Sequence, residues 1–334
     1  MVNPRFLFQI VLTSFLLQFT YFGEVLGQSH PASIPLGCLT DEMHQQLLTT
    51  DEQYARNVRR HEQEIYLQTL ALPNNHTPHS YRSSSNDCNA SQEIFTVPTV
   101  VHVVHRTGIA IGTAENLSNA QITNVINLTN LLYTHSSGAT FPNPFSGVDV
   151  GIQLCLVAQD PQGNPTNGIV RHESNTLSTN DYTTYNTQNA LYWNTTQYFN
   201  IYIVYDIAGA PAAAYSSLAS AHGQTYDGVV VKYDSWSEKL LAHETGHYFN
   251  LYHVFEGSCP NNNCLTDGDR VCDTPPKGSS GGTTFPNCIP TNTCPTTDDD
   301  DTSANNPFRS IALGGLGNQN DSNENYMDYS GNCW

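Results

Sequence analysis

The sequence has few cations. Lys and Arg total 12 of 334 residues against 30 Asp and Glu, which gives a formal net charge of −18. Nucleic acid and anionic membrane surfaces both need a basic face on their partner, so this charge balance argues against either. Beyond the N-terminus no stretch is apolar enough to span a bilayer, and internal repeats are absent, which excludes a polytopic membrane protein and a repeat array. The length permits a sizeable core in one large domain or two small ones.

The one long apolar run, FLFQIVLTSFLLQFTYF, follows Arg5 near the N-terminus. The small residues before Gln28 fit cleavage by signal peptidase, which predicts a signal peptide over residues 1–27. A single membrane anchor is the alternative, but the apolar core is short and the residues after it are not basic. The chain is therefore predicted to be secreted and extracellular, with no membrane association in its mature form.

Cysteine and asparagine usage agrees with secretion. The chain has nine cysteines, five of them between residues 259 and 294, and this suits an oxidising compartment. Six N-x-S/T sequons predict a glycoprotein, although a chain rich in Asn and Thr contains some sequons by composition alone. The sequons begin at Asn75, Asn89, Asn116, Asn127, Asn194 and Asn320.

After the signal peptide, two regions differ in composition and in predicted secondary structure. Residues 40–70 are strongly helix-forming, and residues 73–91 form a polar segment with Pro and Ser, of the kind that proteases cut. From Ile94 strands and helices alternate, with β-branched or alternating runs at 97–105, 148–157, 199–206 and 228–233. In 148–157 the alternation predicts one buried face. A helix is predicted after Ser118, and the Ala- and Ser-rich segment 209–223 is predicted to be an edge strand or loop.

Residues 243–253, HETGHYFNLYH, place three histidines and a glutamate in eleven residues. On a helix, His243 and His247 lie on one face with about 5–6 Å between their Cβ atoms, so both imidazoles can bind one ion. Ser235 and Glu238 have the spacing of a capping box, which predicts where this helix begins. Glu244 follows the first histidine and points to the side where a bound water would sit.

His253 can be a third ligand only if the chain turns sharply after His247. Asn250 stands where that turn must occur, and asparagine is the commonest non-glycine residue in the left-handed region. Three imidazoles and one water make a tetrahedral catalytic zinc site with an open position. The alternative is a surface helix that contains HExxH by chance, which the third histidine disfavours.

Together these features resemble the metzincin zinc peptidases, specifically the cytophagalysin-like branch of the pappalysin family. The family signature, HExxHxxGxxH followed by a methionine turn, is similar to HETGHYFNLYH and NYMDYSGNC (325–333). The segments GCLTDEMHQQLLTTDEQY (37–54), VPTVVHVVH (97–105) and GDRVCDTPP (268–276) also resemble the family. Asn250 replaces the family's turn glycine, Leu39 stands where glycine usually follows the pro-segment cysteine, and the family's C-terminal helix has no counterpart before Trp334.

The resemblance implies an α/β (α+β) metzincin-like fold, with a mixed twisted sheet packed on the active-site helix. It divides the chain into a pro-segment at 28–92 and a catalytic domain at 93–334. The N-terminal subdomain runs to about residue 253, and an irregular, disulfide-rich C-terminal subdomain covers 254–334.

The resemblance also implies roles for individual residues. His243, His247 and His253 bind zinc, and Glu244 is the general base. Met327 lies beneath the histidines without being a ligand. Tyr329 donates a hydrogen bond to the tetrahedral intermediate, or else only packs beside the turn.

Two further roles concern the pro-segment and a second metal. Cys38 is expected to bind the zinc in a latent form, since a thiolate suits the fourth position and eight cysteines remain for four bridges; a Cys38–Cys88 bridge is the alternative. Asp269, Asp273 and Thr274 form a possible calcium site, or an acidic loop.

The disulfide pairing rests on the same resemblance. It favours Cys264 with Cys294 and Cys288 with Cys333, with Cys259–Cys272 as a third pair. Cys88 and Cys155 stay unassigned, because sequence alone cannot fix connectivity.

The function implied is a secreted zinc endopeptidase, made as a latent zymogen, that hydrolyses peptide bonds in extracellular proteins as a monomer. The alternative is a catalytically inactive secreted glycoprotein that retains the fold as a binding module. Only Asn250 and the short C-terminal end support that alternative, and the complete ligand set, the base and the methionine turn argue against it.

Overall fold

The computed structural model describes residues 38–71, 94–134, 149–208, 210–260, 263–272, 274–278, 291–294 and 308–329. The described residues form two compact units, one from 38–65 with 94–251 and one from 66–71 with 252–329. The predicted signal peptide and the polar segment 73–91 lie outside the described residues. Among the helices that are described, none combines the length and the apolar character needed to cross a membrane.

A six-stranded sheet organises the first unit around strand β1 (Phe95–His105). The first half of β1 pairs with β2 (Ile152–Leu156), its second half with β3 (Ile169–Glu173), and β5 (Phe199–Val204) also pairs with it. All three pairings are parallel, as is that of β5 with β8 (Val229–Lys232). The edge strand β7 (Ala214–Ser216) runs antiparallel to β8, in the segment predicted to be an edge strand or loop. A small second sheet joins β4 (Thr179–Asn180) to β6 (Asp206–Ile207).

Strand β2 is buried on both faces, which corrects the prediction of a single buried face at residues 148–157. Gln153 and Cys155 are buried together with Ile152 and Leu154, so this strand has no polar face. Parallel strands are normally covered on both faces. An alternation of apolar and polar residues along such a strand therefore does not indicate which face is exposed to solvent. Val148, the first residue of the predicted alternation, lies outside the described residues.

The described residues include five α-helices: α1 (Thr40–Thr50), α2 (Glu52–Ala71), α3 (Asn119–Tyr133), α4 (Asn186–Leu191) and α5 (Glu238–Tyr248). The helix predicted after Ser118 is confirmed as α3, and Ser118 and Gln121 form a capping box in which the side chain of each binds the backbone of the other. The side chains of Thr129 and Tyr133 on α3 donate to backbone carbonyls of α5, at 3.3 and 3.1 Å. These two bonds fix the orientation of α5 in the first unit. The predicted fold class, a mixed sheet packed on this helix, is confirmed.

The second unit is irregular and cross-linked, but not by the predicted pairs. The structure joins Cys259 to Cys294 and Cys264 to Cys272, so the predicted Cys264–Cys294 and Cys259–Cys272 pairings are wrong. The chain from 263 to 272 folds back on itself, which brings the Cα atoms of Cys264 and Cys272 to 4.9 Å. Cys155 is also disulfide-bonded. Cys88, Cys288 and Cys333 lie outside the described residues.

One predicted glycosylation site is buried. Asn116 is 3% exposed, and its side-chain amide donates to the carbonyl of Ile109 while its oxygen accepts from Arg171. A glycosyltransferase would have no access to this side chain in the folded protein. Asn75 and Asn89 lie outside the described residues.

Candidate metal centre and active site

The cap of helix α5 lies two residues later than the sequence pattern predicts. Ser237, not Ser235, precedes the helix, and its hydroxyl accepts a hydrogen bond from the backbone N–H of Leu240. Ser235 lies in a 3₁₀ turn, Tyr233–Ser235, so it cannot cap α5. A cap at the residue just before the helix satisfies one of the N–H groups that the first turn leaves without a partner.

Asn250 terminates α5 in the predicted conformation. Its φ is 74°, within the left-handed region. Its N–H bonds to the carbonyl of His247 at 2.7 Å, and the N–H of Leu251 bonds to that of Gly246 at 3.0 Å. These two bonds are the Schellman pattern, with Asn250 at the position usually held by glycine. The sharp turn that the histidine spacing requires is therefore present.

We expect Asn250→Gly to change the free energy of unfolding by no more than about 1 kcal/mol, because glycine reaches this φ without strain but costs more backbone entropy. Asn250→Ala keeps a Cβ in the left-handed region and should destabilise by about 1–2 kcal/mol. Urea unfolding of both variants measures the difference. A clear destabilisation of the glycine variant would mean that the asparagine side chain holds the turn through a hydrogen bond.

The two histidines of α5 face each other as a pair of metal ligands would. Both are fully buried, and their Nε2 atoms lie 3.2 Å apart with the rings nearly perpendicular. Two nitrogens bound tetrahedrally to one zinc at 2.0–2.1 Å are separated by about 3.3–3.4 Å. His243 and His247 therefore already have the spacing that a shared ion requires.

The end of the helix also orients the His247 ring. Its Nδ1 lies 2.8 Å from the carbonyl oxygen of Leu251, the residue just after the left-handed turn. A carbonyl can only accept, so Nδ1 carries the proton and Nε2 presents its lone pair. The turn at Asn250 thus fixes which nitrogen of His247 can bind metal.

Glu244 is fully buried beside these histidines. Its Oε1 has no hydrogen-bond partner among the described residues, and its Oε2 accepts from Cys38 Sγ and Thr40 Oγ1, both at 3.5 Å. Burial raises the pKa of Glu244 to about 8, against the opposing effect of these two hydrogen bonds. Such a carboxylate needs a nearby cation or a proton donor.

Cys38 reaches the same place from the N-terminal end of the described chain. It retains its thiol, and one ligand atom each of Cys38, His243 and His247 lies within 4.8 Å of the others. The predicted alternative, a Cys38–Cys88 bridge, is therefore wrong. Burial and the charge of Glu244 raise the pKa of the Cys38 thiol well above its usual range.

Thr40 contacts both Glu244 and strand β7, and the sequence pattern did not indicate either contact. Its hydroxyl accepts from the N–H of Ser216 at 2.9 Å and lies 3.2 Å from the carbonyl of the same residue, on edge strand β7. Cys38 forms a parallel bridge to Ala214 in that strand, and the N–H of Leu39 donates to the Ala214 carbonyl at 3.1 Å. Residues 38–40 are thus attached to the sheet edge next to Glu244.

These residues suit a divalent cation. Two imidazole nitrogens at ligand spacing, a thiol and a buried carboxylate with an unpartnered oxygen form a donor set that lacks a positive charge. Nitrogen and sulfur donors favour zinc over calcium or magnesium. A bound dication would favour the thiolate and the carboxylate and so oppose the pKa shifts that burial causes.

The second unit contains three other predicted site residues close together. His253 is fully buried, with its ring stacked on Phe255 and edge-on to Tyr329, each at 4.7 Å between centroids. The N–H of Val254 donates to the carbonyl of Met327 at 3.2 Å. The methionine turn therefore packs against the segment that carries His253. Tyr329 is half-buried.

A buried ion pair holds this turn, and sequence reasoning missed it. Lys277 and Asp328 form a salt bridge with both side chains fully buried, and Lys277 also donates to Asn323 Oδ1 at 2.7 Å. Asp328 lies between Met327 and Tyr329. Lysine is scarce in this chain and rarely buried unless it is paired, which is the one sequence signal available.

The calcium prediction is only partly within the described chain. Asp269 is buried and accepts from the N–H of Val271 at 2.9 Å, and the N–H of Thr274 donates to the carbonyl of Val271. Asp273 lies outside the described residues. The carboxylate of Asp269 is thus already used to hold the loop, so a calcium site here stays a prediction.

Comparison with known proteins adds relatives in several fungi. A Neurospora crassa extracellular metalloprotease is 34% identical over 93 residues, which span 24% of this chain and 31% of that protein. An Arthroderma otae extracellular metalloprotease is 28% identical over 249 residues, 70% of each chain. One from Pyricularia oryzae is 30% identical over 57% of this chain and 60% of that protein. The chain therefore spans less than a third of the first of these relatives and more than two thirds of the second.

Solved structures share the fold. A mutant of promirolysin from Tannerella forsythia has a TM-score of 0.56 at 22% identity, over 89% of this chain and 86% of that one. Mature mirolysin in complex with a cleaved peptide has a TM-score of 0.51 at 25% identity, over 72% of this chain and 86% of that one. Residues 181–333, which include α5, both histidines and the methionine turn, match the model of the Peptidase_M43 family, described as pregnancy-associated plasma protein-A. Through this region the chain is similar to the Peptidase_M43 (pappalysin) family.

Proposed function

We propose that this protein is a secreted zinc-dependent endopeptidase that hydrolyses peptide bonds in extracellular proteins. The observation that carries the proposal is the 3.2 Å separation of the His243 and His247 Nε2 atoms. The buried carboxylate of Glu244 lies beside them, and its Oε1 has no hydrogen-bond partner among the described residues. The fungal relatives are named extracellular metalloproteases, and mirolysin was solved with a cleaved peptide. The names of these similar proteins support hydrolysis of peptide bonds by this chain.

His243, His247 and His253 would hold the zinc, and the left-handed turn at Asn250 is the turn that the spacing from His247 to His253 requires. Bound zinc supplies Lewis acidity, which lowers the pKa of a water to about 7 and polarises a carbonyl. Glu244 accepts the proton of the attacking water and returns it to the leaving amide nitrogen.

Tyr329 and Met327 have supporting roles in this proposal. The phenol of Tyr329, beside His253, would donate a hydrogen bond to the oxygen that gains charge in the tetrahedral intermediate. Met327 would form the soft, apolar floor of the site without binding the ion. The buried Lys277–Asp328 ion pair holds the backbone at Asp328, the residue between Met327 and Tyr329.

A direct test measures zinc content by mass spectrometry together with digestion of casein or gelatin by the processed protein. One zinc per chain and cleavage that a chelator abolishes and zinc restores are expected. A folded protein that binds zinc and cleaves no peptide would instead favour the binding-module alternative. Calcium binding and a monomeric state stay predictions, which equilibrium dialysis and light scattering would test.

We also propose that residues 28–92 form a pro-segment and that Cys38 occupies the fourth zinc position in the latent form. The Cys38 thiol lies within ligand distance of both histidines of α5 and contacts Glu244. More of this chain matches the pro-form of mirolysin than the mature form, 89% against 72%. Cys38 would therefore exclude the water that hydrolysis needs.

The full-length Cys38→Ala chain should cleave a short fluorogenic peptide before any processing, at a rate at least tenfold above the unprocessed wild type. The reason is that alanine leaves the fourth position open to water. Cys155→Ala is not a suitable control because it breaks a disulfide, so Thr49→Ala, on the exposed face of α1, is the matched variant. A Cys38→Ala precursor as latent as the wild type would contradict zinc blockade by the thiol.

A further inference from the structure

The N-terminal helices are built into the apolar core of the first unit. Met43 and Leu47 lie four residues apart and so share one face of α1, and Leu39, the residue before that helix, has the same spacing from Met43. Tyr54 and Val58 repeat this spacing on α2. All five are buried, Met43 to 1% and Tyr54 to 2% exposure. They pack against a set of side chains that we name the docking groove, formed by Tyr185, Tyr202, Ile207, Ala212, Tyr215 and Tyr226.

Polar contacts that do not involve the candidate metal centre also hold this part of the chain. The phenol of Tyr226 donates to Asp51 Oδ2 at 3.2 Å, while Asp51 Oδ1 accepts from the N–H of Tyr54 at the start of α2. Further along α2, the amide of Asn57 donates to the carbonyl of Ser220 at 3.1 Å. These bonds fix α2 against the groove without any contribution from Cys38.

The groove thus binds two consecutive amphipathic helices through apolar anchors one turn apart, together with the polar bonds of Asp51 and Asn57, and burying the apolar face of a helix in a groove is a known mode of peptide recognition. Cutting the chain after residue 71 would remove the covalent link to the N-terminal segment but none of these contacts. Burial of large apolar side chains stabilises such an interface in proportion to the apolar area removed from water, and tyrosine is enriched among the residues that dominate binding. A cut segment held this way would keep residues 38–40 on strand β7.

We propose that the docking groove retains residues 38–65 non-covalently after the polar segment 73–91 is cut, so that cutting alone does not open the active site. Opening then requires a second event, either further proteolysis of the segment or its displacement by another amphipathic helix. That the active site stays closed after cutting rests on the proposed function. The binding itself does not depend on catalysis.

The test uses the full-length chain with the recognition sequence of a site-specific protease inserted after Arg82, upstream of Cys88. Because Cys38 retains its thiol, no disulfide then connects the two pieces. After complete cutting, the N-terminal piece should co-elute with the remainder on size exclusion at micromolar concentration. Met43→Asp should release it, whereas Gln45→Asp, with the same new charge on the exposed face of α1, should not.

Three further variants make the result decisive. The Cys38→Ser chain should still retain its cut segment; loss of the segment there, or from the unsubstituted cut chain, would overturn the proposal. If Met43→Asp prevents folding, Met43→Ala should release the segment at least tenfold faster than Gln45→Ala, and equal rates would also overturn it. Size exclusion measures binding of the cut segment and does not require peptidase activity. A chain that retains the segment but cleaves no peptide would therefore contradict the proposed function and leave this inference intact.

Discussion

The Glu244→Ala protein is expected to lose peptide cleavage by about 10²- to 10⁴-fold in kcat while it retains its zinc, because a positioned general base contributes a factor of this size. Glu244 lies beside both histidines of α5, yet its Oε1 has no hydrogen-bond partner in the described chain, as suits a group kept for a reacting water. The alanine also removes a buried carboxylate, so the variant should fold at least as well as the wild type.

The measurement is kcat with a fluorogenic peptide on protein processed by an external protease, because an inactive precursor could not process itself. Metal content is determined on the same samples. Glu238→Gln is the matched control: it lies in the first turn of the same helix, is only half-buried, and should leave kcat unchanged. Activity of Glu244→Ala within tenfold of the wild type would sink the proposed mechanism.

The His253→Ala protein is expected to bind zinc more than about 100-fold more weakly, since even the loss of a residue that only supports a ligand costs 10–100-fold. The comparison is sharpest in the Cys38→Ala background, where the thiol cannot substitute for the missing imidazole and only His243 and His247 remain. Activity should fall in parallel with zinc occupancy and return in part at high zinc concentration.

Competition against a chromogenic chelator measures this affinity directly. His222→Ala is the control, because His222 lies in a loop of the first unit with a partly exposed side chain and belongs to no predicted ligand set. Unchanged zinc content of the His253→Ala variant after dialysis against a mild chelator would remove His253 from the site. Destabilisation is checked by thermal unfolding in the presence of the chelator, since His253 also stacks on Phe255.

Several features of the fold and the site follow from local sequence. The spacing of His243 and His247, the helix that carries them and the left-handed turn at Asn250 depend on residues within one or two turns of each other. The same is true of the Ser118 capping box. The predicted cap of α5 was wrong by two residues, because Ser235 and Ser237 both offer a hydroxyl and only the path of the preceding 3₁₀ turn selects between them.

By itself, then, the sequence determined a helix with two ligands and a base, a turn after it, and a family resemblance that the comparison supports. Only the tertiary structure decided which cysteines pair, that Thr40 bonds Ser216 across 176 positions of chain, and that a buried Lys277 holds Asp328 beside the methionine turn. Local periodicity reports which face of an element is apolar, but it carries no information about which distant element will cover that face. Those contacts depend on the packing of the whole chain, and a pairing rule read from one sequence cannot anticipate it.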